Sequence, residues 1–273
     1  MVVKDADTAS NTIDVYTRGF GGTDPATHAD DTAIYIVGMA RLEGDDADYG
    51  PITDVSAPYN YTSIFQKAIK VSGTLQAITQ HGIQDEFMYQ ANKAVPHLLR
   101  LVERMAFYGE RVEGSATAPR SAGGLDTFIT DNTVNAGGAI AKADVDSLME
   151  EIIMDGGYPD LLVMNPRVAN DLRGLLDNSS FIRIGQNDNQ LGLNAIERVV
   201  TQYGELELVM DRWCPTGTAY VLQSDKVGFF ALRPFSAYEL ARVGDITRGE
   251  VVGEFSLLAA NDKAHGKITG ITT

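Results

Sequence analysis

Between residues 85 and 108, apolar side chains recur at every third or fourth position: Phe87, Ala91, Ala94 and Val95, Leu98, Val102 and Met105. That spacing lines one face of a helix with 3.6 residues per turn. Leu99, Leu101, Ala106 and Phe107 widen the apolar surface, while Arg100, Glu103 and Arg104 are spaced to pair on the outer face. Asp85 and Glu86 fall where the positive end of the helix dipole favours carboxylates, and Gly109 supplies a stop. Pro96 removes one backbone hydrogen bond, so the pattern predicts a bend or a split there. At 1.5 Å per residue the helix runs roughly 35 Å, a spine rather than a packing helix in a bundle.

Before that helix the pattern is extended. "NTIDVYTRGF" and "TAIYIVGMARL" are rich in β-branched and aromatic residues, with turn chemistry at "GFGGTDP". Residues 43–60 are acidic, hold two prolines and read as an exposed loop. This ribbon has few ways to bury an apolar face alone, and an isolated hairpin is marginal in water. It therefore leans on the rest of the chain or on a neighbouring chain. Residues 63–79 fit both a helical and a strand period and are assigned as extended.

After the helix, 112–125 is a loop of small residues, and strand and turn pieces follow. From about 143 the texture changes. Val145, Leu148, Met149, Ile152 and Ile153 form an amphipathic helix with Asp144 and Asp146 in its first turn and Gly156–Gly157 closing it. "DLLVMN" reads as a buried strand, and Asn165 and Pro166 cap and start another helix. Strand followed by capped helix is the grammar of an α/β layer. Residues 181–204 read as loop then strand, and 205–213 and 218–232 as strands with a turn at 224–226. The tail returns in strands, so 143–235 reads as an α/β insertion between two halves of an earlier domain.

Composition narrows the function. Hydrophobic residues make up 44% of 273, ample for a core, and no apolar run approaches a membrane span. No signal peptide is visible at the start of the sequence. The net charge of −15 argues against tight gripping of nucleic-acid phosphates. One cysteine, Cys214, excludes an internal disulfide framework and reads as a small buried residue. His28, His81, His97 and His265 have no ligand-spaced partners. "GFGG" lacks a complete GxGxxG and a following helix, so it reads as a turn. The cluster Glu43, Asp45, Asp46 and Asp48 lacks the glycine-centred pattern of a calcium loop and reads as solvated. No catalytic, cofactor-binding or metal-binding constellation emerges, and the chain reads as a non-enzyme.

The collinear series "TRGFGGT", "IYIVGMARLEG", "NYTSIFQKAIKVSGTLQAI", "LLRLVERMAFYG" with "APRSAGGL", "LLVMNP", and "RPFSAYELARVGD" with "GEFSLLAANDKAHGKITGI" resembles the major capsid proteins of tailed bacteriophages. The resemblance implies an α+β, HK97-like capsid fold. Its elongated β-ribbon loop falls at 1–62. A peripheral domain falls at 63–142 and 236–273, with the spine helix at about 85–109, and an inserted α/β axial domain at 143–235. It implies a homo-oligomeric icosahedral shell of pentamers and hexamers around double-stranded DNA. That DNA is held without sequence-specific binding, and there is no cofactor or membrane. Portal, scaffolding or decoration proteins are implied as further partners. The location is the virion, after assembly in the host cytoplasm. The inter-subunit contact candidates are Arg18, Phe20, Arg41, Glu43, Arg120, Asp188 and Asn189. Relatives carry more chain before the turn motif, which only sixteen residues precede here. An N-terminal segment removed in maturation, or one lying before this sequence, is the expectation.

Two other readings stand beside this one. An encapsulin-type shell holding a cargo enzyme shares the fold. A soluble acidic α/β enzyme or ligand-binding domain requires a convergent polar pocket.

Overall fold

The computed structural model describes residues 2–7, 12–27, 29, 32–33, 35, 43–44, 58–78, 83, 85–176, 182–184, 196–241 and 244–272. Two compact units divide the chain, 1–57 and 58–273. In the first, β1 (Val2–Asp7) and β2 (Thr12–Thr17) pair antiparallel as a two-stranded ribbon. A 3₁₀ turn at Phe20–Gly22 follows, with Gly21 and Gly22 at positive φ. The expected turn chemistry of "GFGG" is thus realised just past β2.

The second unit is built on two sheets. In chain order its elements begin with β3 (Ser63–Ser72), α1 (Gly73–Ala77), α2 (Glu86–Tyr108), α3 (Leu125–Phe128), β4 (Thr133–Asn135) and α4 (Lys142–Met154). Next come β5 (Leu161–Met164), α5 (Pro166–Leu176), β6 (Ile182–Ile184), β7 (Ile196–Val200) and β8 (Glu205–Met210). The last are β9 (Ala219–Leu222), β10 (Val227–Leu240), β11 (Ile246–Ala259) and β12 (Gly266–Thr269). The ambiguous stretch 63–79 is divided: β3 takes its first ten residues, and a short helix capped by the Ser72 hydroxyl takes the next five. Residues 182–184, expected in a loop, form a strand.

β10, β11 and β3 form a three-stranded antiparallel sheet in that order. Along β11 burial alternates: Thr247, Gly249, Val251 and Leu257 are buried on one face, and Arg248 and Leu258 are exposed on the other. That period of two is what a half-covered strand dictates. The cover is α2. Its buried stripe of Ala91, Ala94 and Leu98 meets Ile69, Val71 and Val251, and Val102 and Met105 meet Ala122 against Phe65, Phe235 and Phe255. The ring of Phe87 lies so close to Gly249 that a Cβ there would come within 2.4 Å of it, so only glycine fits at that position without a shift. Asp85 caps the helix through the Phe87 and Met88 amides, and Gly109 ends it. The helix runs unsplit through Pro96, which is exposed.

The other sheet has seven strands in the order β4-β12-β9-β5-β8-β7-β6, parallel at β5–β8 and β4–β12 and antiparallel elsewhere. On one face, Val145, Leu148, Met149 and Ile152 of α4 and Val168 and Leu172 of α5 pack on Leu162, Met164, Leu206 and Val221. On the opposite face, Ala106 and Phe107 of α2 and Leu125 of α3 join Val163, Tyr220, Leu222 and Leu257 in a second core. That core ties the spine helix to both sheets. Asn165 caps α5, accepting from the Arg167 amide beside Pro166. Residues 133–135 and 266–269, expected with the spine helix, pair in the seven-stranded sheet, and 227–235, expected in the insertion, pair in the three-stranded sheet.

Candidate assembly surface

The loop of small residues after α2 folds back onto the subunit. Gly124 donates its amide to the Gly109 carbonyl at 2.8 Å, and a Cβ on Gly124 would stand 2.7 Å from the Ala106 and Met105 carbonyls. Glycine therefore lets the returning backbone touch the end of the helix. Between these contacts, Val112 and Ser121 pair by two backbone hydrogen bonds, and Ser115 closes the tip by accepting from the Thr117 and Ala118 amides.

From the base of this loop Arg120 reaches a buried carboxylate, Glu254 of β11, which is 3% exposed. Glu254 accepts from the Arg120 guanidinium, from Arg233 Nε at 3.0 Å and from the Thr62 hydroxyl at 2.5 Å. Arg120 Nε also donates to the Thr62 carbonyl at 3.0 Å. Four separate segments thus meet on one carboxylate. The Thr62 hydrogen bond, with those from the two guanidiniums, holds the Glu254 carboxyl below its usual range against the opposing effect of burial. Both arginines keep about half of their side-chain surface in solvent.

A second junction lies where α2 meets the turn after β8. Trp213 has the Arg104 guanidinium 5.1 Å from its ring centroid and that of Arg212 at 6.0 Å. Asp211 accepts from the Trp213 amide at 2.7 Å, and Asn165 donates to the Cys214 carbonyl at 2.9 Å. Burial, then the neighbouring Asp211 carboxylate, raises the Glu103 carboxyl above its usual range. Cys214 is buried, and desolvation pushes its thiol up to about 12, which makes it a poor nucleophile. This agrees with its reading as a small buried residue.

His265 is fully buried. Its Nδ1 accepts from the Gln223 amide at 3.2 Å, which leaves Nε2 to donate to the Ala260 carbonyl at 3.2 Å. Both nitrogens are used by backbone, as in a satisfied core histidine. His97 is exposed on α2. Among the described residues no group of three His, Cys, Asp or Glu side chains could hold a metal ion, and no helix is long and apolar enough to cross a membrane. The largest described hollows, about 330 and 420 Å³, are open depressions flanking the start of β3.

Of the contact candidates, Arg120 sits on Glu254 within the subunit. Arg18 is exposed and donates to the Ala26 carbonyl at 3.2 Å. Glu43 is exposed in a turn with Gly44 at positive φ. Phe20 opens the 3₁₀ turn, with its side chain outside the described set; Arg41, Asp188 and Asn189 also lie outside it. Sequence reasoning missed Glu254 and Arg233. The available signal was a carboxylate in "VVGEFSLL", an otherwise apolar strand, but its partners stand 21, 134 and 192 positions away.

A family model described as the SU10 major capsid protein matches residues 3–272. The major capsid protein of Escherichia phage Phieco32 is 24% identical over 281 residues, covering 83% of this chain and 80% of that protein. Among solved structures, the capsid of cyanophage A-1(L) matches with a TM-score of 0.58 at 14% identity, over 77% of this chain and 78% of that one. The SrpI encapsulin of Synechococcus elongatus PCC 7942 also reaches a TM-score of 0.58 at 14% identity, over 80% of this chain and 77% of that one. The two-sheet architecture crossed by one long helix is therefore HK97-like. With the family match running almost end to end, the chain belongs to the SU10 major capsid protein family and is a phage capsid shell protein.

Proposed function

We propose that this chain tiles a closed icosahedral shell around double-stranded DNA, and that its parts divide the work of assembly. The observation that carries the reading is the family match over residues 3–272. In this reading α2 with the three-stranded sheet is the peripheral domain, with α2 as its stiff spine. The α/β layer around 143–235 is the axial domain, meeting its copies in pentamers and hexamers. The N-terminal unit is the elongated loop, lying over a neighbouring subunit. A two-stranded ribbon buries little by itself, so seating it on a neighbour supplies the apolar cover that it lacks. Each subunit of a shell makes several contacts, so individually modest interfaces suffice. Arg18, Phe20, Arg41, Glu43, Arg120, Asp188 and Asn189 remain proposed contact residues.

The acidic surface suits a lining that packed DNA touches without adhering, since phosphates gain nothing from carboxylates. The chain then has no catalytic role, assembles in the host cytoplasm and ends in the virion, with portal, scaffolding or decoration proteins as further partners.

Electron microscopy of the purified protein, with its nucleic-acid content, is the test. Closed shells that package DNA in the infected host support the reading, whereas a stable 30 kDa monomer on gel filtration at high concentration overturns it. A shell that encloses a protein cargo, in the manner of an encapsulin, is distinguished by cargo protein in place of DNA.

A further inference from the structure

The outer face of the β10–β11 ribbon, opposite the core-facing side of β11, carries an unusual surface. Phe230, Leu232, Leu258 and the adjacent Ile64 of β3 are each between 51% and 58% exposed. The pairing register puts them on the face of Glu254, because Ile64 and Arg233 both stand opposite Glu254, and Ser256 opposite Phe230. The Glu254 cluster therefore sits inside an apolar rim. Its charges do not cancel: two half-exposed guanidiniums share one carboxylate. Exposed aromatic and aliphatic side chains around partly desolvated arginines make up the centre of a protein interface, not of a free surface.

Charge selects the occupant. Residues 1–57 hold eleven carboxylates against three Lys and Arg, a net charge of −8 out of the chain's −15. The other 216 residues carry only the remaining −7. A second β10 is a poor partner, because it would bring another arginine-rich cluster. Pro234 also lacks an amide, and the register shifts on either side of Arg233 interrupt the strand's pairing. An acidic turn of another copy matches both the excess positive charge and the apolar rim. Among the described residues of the N-terminal unit, Glu43 is an exposed carboxylate in such a turn, and Asp45, Asp46 and Asp48 follow it in sequence.

We propose that the outer face of the β10–β11 ribbon, centred on Arg233 and Arg120, is the seat of the acidic turn at Glu43 of a second copy. This rests on the shell reading and names the receiving surface for the N-terminal unit. The partner's carboxylates pair with the two guanidiniums, and its neighbouring side chains cover Phe230, Leu232 and Leu258.

Two differently tagged single variants, Glu43→Cys and Leu232→Cys, are co-expressed with excess wild-type chain so that mosaic shells form. Cys214 is buried and does not compete for oxidation. After mild oxidation, a covalent pair carrying both tags is expected, with none when either variant is used alone. Shells that contain both tags and give no mixed pair overturn the proposal. The variant Phe230→Ser/Leu232→Ser removes exposed side chains only. It is expected to unfold at the wild-type temperature as a soluble subunit while its yield of shells falls at least tenfold, and wild-type yield overturns the proposal. Absence of shells from the wild-type chain counts against the shell reading instead, so the two failures are distinguishable.

Discussion

At the scale of single residues, the structure rests on a few polar groups whose neighbours leave them little choice. Glu254 is the strongest case, because three donors from distant segments converge on it. Replacing it with alanine removes their shared acceptor, and a hydrogen-bonded charged group contributes about 2 kcal/mol. Glu254→Ala is expected to destabilise the soluble subunit by about that amount, read from denaturant unfolding; a change below about 0.5 kcal/mol shows that water replaces the carboxylate at no cost. Its carboxyl is held low, so its contribution is complete above the unfolded value and disappears as the pH falls through the lower folded value. His265 acts earlier in acid. Burial lowers its basicity, with Lys226 opposing protonation and Asp262 and Asp225 favouring it. The unfolded chain therefore takes up the proton first. Unfolding free energy is expected to fall as the pH drops below about 6.5, the ordinary histidine value, before Glu254 titrates. An imidazole resonance of His265 that titrates at or above that value excludes this sign.

At the scale of elements, α2 was legible because its signal is local. The residues predicted for its stripe include five that are buried: Ala91, Ala94, Leu98, Val102 and Met105. The caps at Asp85 and Asn165 were readable for the same reason, each being set by two or three neighbours. Leu98 is fully buried, so Leu98→Asp places an unpaired charge in the core and is expected to abolish soluble, helical subunit, as circular dichroism of the expressed protein reports. Pro96 is exposed in a helix that continues past it, so Pro96→Ala adds a hydrogen bond without crowding. Its gain of about 3 kcal/mol in helix propensity is offset by about 1 kcal/mol of added freedom in the unfolded chain. A net stabilisation of about 2 kcal/mol is expected in thermal unfolding; a lower midpoint means that the spine needs proline in place. What local pattern did not reveal was pairing. Nothing in "TVN" or "GKIT" announces that 133–135 and 266–269 lie side by side in the seven-stranded sheet, since the register is set by partners over a hundred positions away. The helix at 73–77 was hidden for a related reason: "AIKVSGT" satisfies both periods, and the chain changes from one to the other at Gly73.

At the scale of the whole molecule, the division of the chain into 1–57 and 58–273 separates two kinds of stability. The second unit has continuous cores: α4 and α5 cover one face of the seven-stranded sheet, and the end of α2 links its other face to β11. The first unit is acidic, and its regular structure among the described residues is one ribbon and one short turn. If its order comes from a neighbouring tile, then removing most of it leaves the second unit's fold intact and takes away the contact. Deletion of residues 17–50 is therefore expected to give a soluble subunit with an unfolding midpoint within a few degrees of the full chain, but with shell yield reduced at least tenfold. The two measurements separate the causes. Loss of both midpoint and shells would place the ribbon inside the subunit's own core, while retention of both would show that the ribbon joins nothing. Only an intact fold without shells fits a ribbon whose binding free energy is realised between subunits, where each contact is modest and the closed lattice accumulates them.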